Sequence, residues 1–251
     1  MSEPLSRRKF SQILTLSGAS AALASASPSL SPSAAENTVS INNDFFIIHF
    51  HPRTGRFDVH RQDGTLLLSN ATVRVNLDSG RRSLADAVFA HTADSQSVRD
   101  ELGTGTLLII TSRDKDSKIQ IQSRITLYDH SSAIFIEVGC RNDSSRTALL
   151  KGIEPLCLRE PEGGILNWAG TSKVLTNGAM YYDAGQLHDL DTPFKAAEPY
   201  GPTKGGRLAP DFQFPHPERV HSWWNIGLFR GYDKEGLVCG FIENDKIGRA
   251  H

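Results

Sequence analysis

Alternation of apolar and polar residues with a period of two is the feature that most constrains this fold. Isoleucine or leucine stands at positions 119, 121, 125 and 127, and Gln, Arg or Thr stands at 120, 122, 124 and 126. Successive side chains of a strand point to opposite faces, so the segment predicts a strand with one buried and one solvated face. The one competing helical segment, residues 83–90, is short and uncapped and is predicted as strand or turn. The sequence therefore predicts an all-β protein.

Turn residues divide the chain into segments of strand length. Strands are predicted at 45–50, 56–61, 65–68 and 71–77, and Asp63-Gly64 is a hairpin signal because glycine tolerates a positive φ. Strands at 106–113, 118–128 and 132–142 are separated by short polar turns, which predicts an antiparallel meander. Two more are predicted at 222–229 and 236–243. Prolines and glycines between residues 183 and 220 predict a long irregular loop, of a kind that is often functional.

The N-terminal segment is typical of an export signal. Arg7 and Arg8 precede a mildly apolar stretch without acidic residues and a run of small residues around position 25. This pattern resembles a twin-arginine signal, although Ser11 stands where a leucine is usual, and it is too short to form a stable membrane anchor. We assign residues 1–35 to the signal, with cleavage after Ala26 or Ala35, and expect the mature chain to be periplasmic or extracellular. A disordered basic N-terminus is the alternative.

Charge and cysteine content exclude several classes of function. The chain has 27 basic and 28 acidic residues, a net charge of -1 and no basic stripe, so nucleic acid is not an expected partner. Three widely spaced cysteines, at 140, 157 and 239, are too few for a disulfide scaffold or a closed zinc site. Since the twin-arginine route carries folded proteins, we expect buried free thiols.

No motif for catalysis, for a cofactor or for phosphate binding is present, so no catalytic residue, metal or cofactor is predicted. His49 and His51 share one strand face and could bind a metal with a third ligand, but a solvated face is the favoured interpretation. Asp189 follows a pair of tyrosines in the predicted loop, and carboxylates beside aromatic rings suit sugar hydroxyls. Trp223 and Trp224 are adjacent on a predicted strand and must face opposite ways, and Trp223 is our candidate stacking platform for a sugar.

The order of elements resembles the N-terminal β-supersandwich of the α-galactosidase-like glycoside hydrolases, a galactose-mutarotase-like fold shared with raffinose synthase relatives. The likeness covers most of residues 40–245. The segments that carry it are IFIEV at 134–138, RNDSS at 141–145, IEPL at 153–156, LTNG at 175–178, SWW at 222–224 and GLVCGF at 236–241. In members with an aromatic residue after Asn-Gly this segment lies near the sugar pocket, which implies a sugar contact for Asn177, although Ala179 replaces that aromatic here.

The resemblance implies a non-catalytic domain of an exported glycoside hydrolase. In that family both catalytic carboxylates belong to a (β/α)8 barrel that follows the sandwich, and such a barrel needs about 250 residues. We therefore expect residues 36–246 to form the sandwich and 247–251 to begin a missing C-terminal catalytic barrel. We expect carbohydrate and that barrel as partners, and no hydrolysis by this chain alone.

Two other functions remain open. One is a free-standing carbohydrate-binding sandwich. The other is a mutarotase-like isomerase, which needs a histidine acid and a carboxylate base in one cleft. The spacing of the candidate histidines and glutamates does not predict which of them would pair. The candidates are His91, His188, His216 and His221 with Glu154 or Glu198.

Overall fold

The computed structural model describes residues 10–17, 38–114, 116, 118–176, 186–190, 225–230 and 235–241. Of these residues 69% lie in strands and 2% in helix, and the sheets are antiparallel, which confirms the predicted all-β sandwich. One 3₁₀ turn, Glu160–Glu162, is present in the described ranges. The strands are β1 (Phe10–Ser17), β2 (Val39–Asn42), β3 (Phe46–His51), β4 (Arg56–Arg61), β5 (Leu66–Leu77), β6 (Gly80–Ser83), β7 (Phe89–Asp100), β8 (Gly103–Asp114), β9 (Ile119–Tyr128), β10 (Ala133–Asn142), β11 (Leu150–Cys157), β12 (Ile165–Leu166), β13 (Thr171–Thr176), β14 (Gln186–Asp189), β15 (Asn225–Arg230) and β16 (Gly236–Phe241).

The chain forms two compact units, whose described residues are mainly 38–167 and 168–241. In the first unit, β7, β8, β9 and β10 pair in chain order as an antiparallel meander. Ile125 of β9 lies opposite Leu108 of β8 on one side and Ile136 of β10 on the other. All three side chains are buried. The meander predicted from the alternation of apolar and polar residues is therefore confirmed.

A second sheet of the first unit has the order β11-β5-β4-β3-β2, with β6 and β12 also paired to β5. The hairpin predicted at Asp63-Gly64 joins β4 to β5. Gly64 has a φ of 84°, and the Arg61 N–H donates to the Thr65 carbonyl oxygen at 2.8 Å. A bulge interrupts the ladder near Asn70, whose φ is 52°. The strands predicted separately at 65–68 and 71–77 form one continuous strand, β5, which contains this bulge.

The buried faces of these two sheets form the core of the first unit. Phe50 and Phe57 contribute from the second sheet, and Leu108 and Ile125 from the meander, all nearly inaccessible to solvent. The Phe50 ring lies edge-on to His91 of β7, with 6.1 Å between centroids. Because side chains alternate along a strand, this packing turns the polar residues of β3, β4 and β5 to the opposite side of the second sheet.

The second unit contains the ladder β14-β13-β15-β16. Trp168 is buried at its start, and the Arg230 guanidinium lies 4.2 Å from the centroid of the indole ring. Such a cation over an aromatic face is attracted by the ring quadrupole. Arg230 also forms an ion pair with Glu235 at 3.2 Å.

Several described strands were not predicted from the sequence, namely β2, β6, β7, β11, β12, β13 and β14. Two of them, β7 and β14, show why. β7 was predicted as strand or turn only as far as residue 90, because its later residues are mostly polar and exposed and carry no apolar period. β14 lies inside the predicted irregular loop of residues 183–220, so the loop is not continuous there. The remainder of that loop lies outside the described residues.

The predicted export signal overlaps β1, and Arg7 and Arg8 lie outside the described residues, so the signal stays a prediction. All three cysteines are free, but only one of them is buried as predicted. Cys157 is buried, whereas Cys140 and Cys239 are half-buried. Within the described ranges, the chain forms no helix of the length and apolar character that a bilayer span requires.

Candidate functional site

An open polar groove lies in the first unit, beside the turn that connects β2 to β3. It has a volume of about 750 Å³. Amide, carboxylate and imidazole side chains surround it, and these groups can donate and accept hydrogen bonds to the hydroxyls of a polar ligand. The lining residues are Asn42, Asn43, Asp44, Gln62, Asp129 and His130.

Asn43 fixes the floor of the polar groove. Its amide nitrogen donates to the carbonyl oxygens of Tyr128 at 2.7 Å and Ser131 at 2.8 Å. Its side-chain oxygen accepts from the N–H groups of Phe45 at 2.9 Å and Phe46 at 2.8 Å. The turn before β3 is thereby tied to the turn between β9 and β10. With its amide fully used, Asn43 shapes the groove and offers no free group to a ligand.

Two carboxylates carry the charge of the polar groove, the exposed Asp44 and the half-buried Asp129. Asp44 Oδ2 lies 2.7 Å from His130 Nδ1, and this contact raises the pKa of His130. Asp129 Oδ2 accepts a hydrogen bond from the Thr104 hydroxyl at 2.7 Å. The groove can thus present an imidazole and carboxylate oxygens to a ligand.

A second polar region covers the outer side of β3, β4 and β5, and we call it the polar sheet face. It contains a histidine held by a carboxylate. His51 Nε2 lies 2.8 Å from Asp58 Oδ2, and Asp58 Oδ1 accepts the Asn70 N–H at 2.7 Å. A carboxylate that orients an imidazole is a common arrangement in proton transfer and in structural pairing alike.

His49 is the neighbour of that pair on the polar sheet face. Its Nδ1 lies 2.7 Å from the Ser40 hydroxyl, and its ring is edge-on to His60 with 5.3 Å between centroids. Burial, and then the charges of His60 and His51, lower the pKa of His49, while Asp58 opposes them. Protonation of His49 is therefore disfavoured relative to a free imidazole. In the described residues, no group of three or more His, Cys, Asp or Glu side chains is arranged to hold a metal ion.

The most strongly charged part of the polar sheet face is a cluster around Glu162, which we call the arginine cluster. Glu162 follows β11, on the 3₁₀ turn. Its carboxylate contacts Arg74 directly and lies 3.5 Å from Arg159 Nη1 and 4.0 Å from Arg56 Nη2. The hydrogen bond from Arg74 and the surrounding positive charge lower the pKa of Glu162. The arginine cluster thus gathers three cations on one anion.

One carboxylate, Glu154, and one thiol, Cys157, border the arginine cluster. Glu154 accepts a hydrogen bond from Asn76 at 3.1 Å. Burial raises the pKa of the Cys157 thiol to about 11, while nearby Arg74 opposes the shift. Since the thiolate is the nucleophile and this thiol stays protonated at neutral pH, Cys157 has a packing role.

Of the predicted sugar-facing residues, only Asp189 is described by the structure. It lies on β14, directly across from Lys173, and their side chains form an ion pair at 3.1 Å. Both side chains are exposed. Asn177 and Trp223 lie outside the described residues, so the proposed grouping of these three residues stays a prediction.

The histidine and carboxylate pairs of a mutarotase-like isomerase are not formed by the described candidates. His91 Nδ1 contacts the Ser112 hydroxyl at 2.8 Å, and His188 Nε2 contacts the Thr176 hydroxyl at 3.0 Å. Glu154 contacts Asn76 rather than a histidine. The remaining candidates, His216, His221 and Glu198, lie outside the described residues.

Sequence reasoning did not find the polar groove or the arginine cluster. The groove joins the turns near residues 43 and 130, which are far apart in the chain, and Asn and Asp there are ordinary turn residues. One feature of the sequence could have indicated the arginine cluster. Arg74 stands among valines in a strand, and a cation in such a position needs a partner from another element.

No family model, curated protein or solved structure matches the chain. The resemblance to the α-galactosidase-like enzymes therefore stays a prediction.

Proposed function

We propose that this chain is a non-catalytic β-sandwich domain of an exported glycoside hydrolase that resembles the α-galactosidases. In this role it packs on a catalytic barrel and lines part of the sugar site. The observation that carries the proposal is the antiparallel sandwich itself, in which the described segments of the resemblance fall largely in strands. IFIEV lies in β10, IEPL in β11 and GLVCGF in β16.

The first test is hydrolysis. Since the family's two catalytic carboxylates belong to the barrel, the purified chain should release no nitrophenol from a nitrophenyl α-galactoside. Saccharide binding is the companion measurement. A surface that lines only part of a site should bind α-galactosides weakly, with Kd of about 1 mM or above. Turnover of the aryl galactoside by the chain would contradict the proposal.

The polar groove favours a second function, a free-standing carbohydrate-binding domain. Its exposed Asn42 and Asp44 side chains, together with His130, suit hydroxyl recognition on an open surface. A complete site on this chain should bind a galactosyl oligosaccharide about 100-fold more tightly than a partial one, with Kd near 10 μM.

A pair of aspartate variants separates these functions. Asp44 lines the groove, whereas Asp94 is an exposed residue of β7. Asp44→Ala should abolish binding if the groove is the site, and Asp94→Ala, with the same change of charge, should not. Equal affinities of the two variants in calorimetric titration would exclude the groove.

A further inference from the structure

The arginine cluster holds more positive charge than its internal carboxylate requires. Arg56, Arg74 and Arg159 approach Glu162 from β4, from β5 and from the residue before the 3₁₀ turn. Arginine stays protonated at any physiological pH, so three positive charges meet one negative charge. Of the described carboxylates nearby, Glu162 alone forms ion pairs with all three arginines.

Arg74 also has hydrogen-bonding capacity that Glu162 does not use. Its side chain is 5% exposed, and its Nε and Nη1 atoms find no hydrogen-bond partner in the described part of the chain. A buried cation with unused donors is costly unless an acceptor approaches. Arginine donors in this state favour a ligand with several charged oxygens, such as a carboxylate or a sulfate.

The cluster is open to solvent at the end where Glu162 lies. The Glu162 side chain is 31% exposed and that of Arg159 is 46% exposed, whereas Arg56 is 18% exposed. Rotation of the Glu162 side chain would uncover the position that its carboxylate occupies on Arg74. An external anion that takes this position would contact Arg74 at Nη2.

We propose that Arg56, Arg74 and Arg159 form an anion-binding site that Glu162 fills in the absence of ligand. The ligand is the carboxylate or sulfate group of an acidic saccharide. The saccharide part rests on the proposed function, whereas the anion site does not. Glu162 then acts as an internal competitor, and the apparent affinity for an external anion is reduced by the fraction of time for which it holds the site.

The anion site is tested with inorganic sulfate in the full chain, by calorimetric titration at low ionic strength. Glu162→Gln removes the internal competitor and should tighten sulfate binding about tenfold. Glu160→Gln is the matched control, because it neutralises an exposed glutamate of the same turn, and it should leave the affinity unchanged. A Glu162→Gln affinity equal to or weaker than that of the unmodified chain would overturn the proposal.

Variants of the three arginines provide a second test of the anion site. Arg159→Gln changes an exposed side chain and should weaken sulfate binding about threefold. Arg74→Gln should abolish binding, and circular dichroism must establish that this variant is folded. If Arg74→Gln unfolds, Arg56→Gln takes its place, with weaker binding expected. Unchanged affinity in Arg159→Gln and in the folded Arg74 or Arg56 variant would contradict the site.

The saccharide part is tested with an oligogalacturonate and with a neutral galactosyl oligosaccharide. The oligogalacturonate should bind more tightly than inorganic sulfate and respond to Glu162→Gln in the same direction. If sulfate responds and the oligogalacturonate binds no better than sulfate, the anion site stands and its saccharide ligand is refuted. If the neutral oligosaccharide binds and neither anion responds to Glu162→Gln, the proposed function stands and the anion site is refuted.

Discussion

Asn43 illustrates how one side chain can organise two distant parts of the first unit. Its amide makes four hydrogen bonds, two to the turn between β9 and β10 and two to the start of β3. Asn43 is 7% exposed, so the backbone groups that it bonds are largely shielded from solvent. The stability of the polar groove thus depends on a residue that no ligand would touch.

Replacing Asn43 by Ala should lower the free energy of unfolding by about 3 kcal/mol, because buried backbone donors and acceptors lose their partners. Urea denaturation monitored by circular dichroism measures the change. Asn42→Ala is the control, since Asn42 is exposed at the end of β2, and its effect should stay within about 0.5 kcal/mol. Similar losses in both variants would show that the Asn43 bonds contribute little.

At the scale of elements, the meander shows both the strength and the limit of sequence patterns. β8, β9 and β10 were predicted to within a few residues, because alternating apolar residues report one buried face. β7 and β14 were not predicted, because strands near solvent on both faces carry no such alternation. The bulge near Asn70 was also missed, since it depends on pairing with β4 rather than on local composition.

Gly105 of β8 provides a test of the pairing between β8 and β9. A Cβ at Gly105 would lie 2.2 Å from the Leu127 carbonyl oxygen. The backbone of β8 or β9 must shift to relieve this clash. Gly105→Ala should therefore destabilise the protein by about 2 kcal/mol. Thermal denaturation measures the loss.

Gly139 of β10 is the matched control, because a Cβ there has no atom within 4 Å. Gly139→Ala should be neutral or should stabilise the protein by up to about 1 kcal/mol, since alanine loses less backbone entropy on folding. A destabilisation by Gly139→Ala as large as that by Gly105→Ala would mean that strand glycines matter for reasons other than contact.

For the whole molecule, the fold class could be predicted from the sequence, whereas the polar groove and the arginine cluster could not. Period-two alternation and turn residues specify an antiparallel sandwich through local rules. Asp189 was selected by composition; the structure places it in an exposed ion pair with Lys173, and its sugar contact stays a prediction. The arginine cluster depends on contacts between β4, β5 and the turn after β11, and such distant contacts leave no local signal.

The stability of the whole protein should decrease as the pH falls below about 6.5. Burial lowers the pKa of both His49 and His91 from the ordinary value of 6.5. The unfolded chain then binds protons at a higher pH than the folded chain does, so stability rises with pH across this window. The stabilisation is present above 6.5 and is lost as the pH falls through the lower folded-state pKa values.

Urea denaturation at several pH values between 7.5 and 5 tests this dependence. His49→Gln and His91→Gln should each flatten the profile, because each removes one group whose folded pKa is lowered. His130 acts in the opposite direction, since Asp44 raises its pKa, but it is exposed and its effect is screened. A profile that is flat or that rises toward pH 5 in the unmodified chain would contradict the expectation.

The polar character of β7 bears on the behaviour of this protein at high concentration. β7 is the terminal strand of its sheet and runs for 12 residues, from Phe89 to Asp100. A strand of that length is a template for edge-to-edge association between molecules. Its exposed side chains are short and polar, with charges at Asp94, Arg99 and Asp100, and another strand would have to strip water from them. The polar residues that prevented prediction of β7 from the sequence therefore also oppose aggregation between molecules.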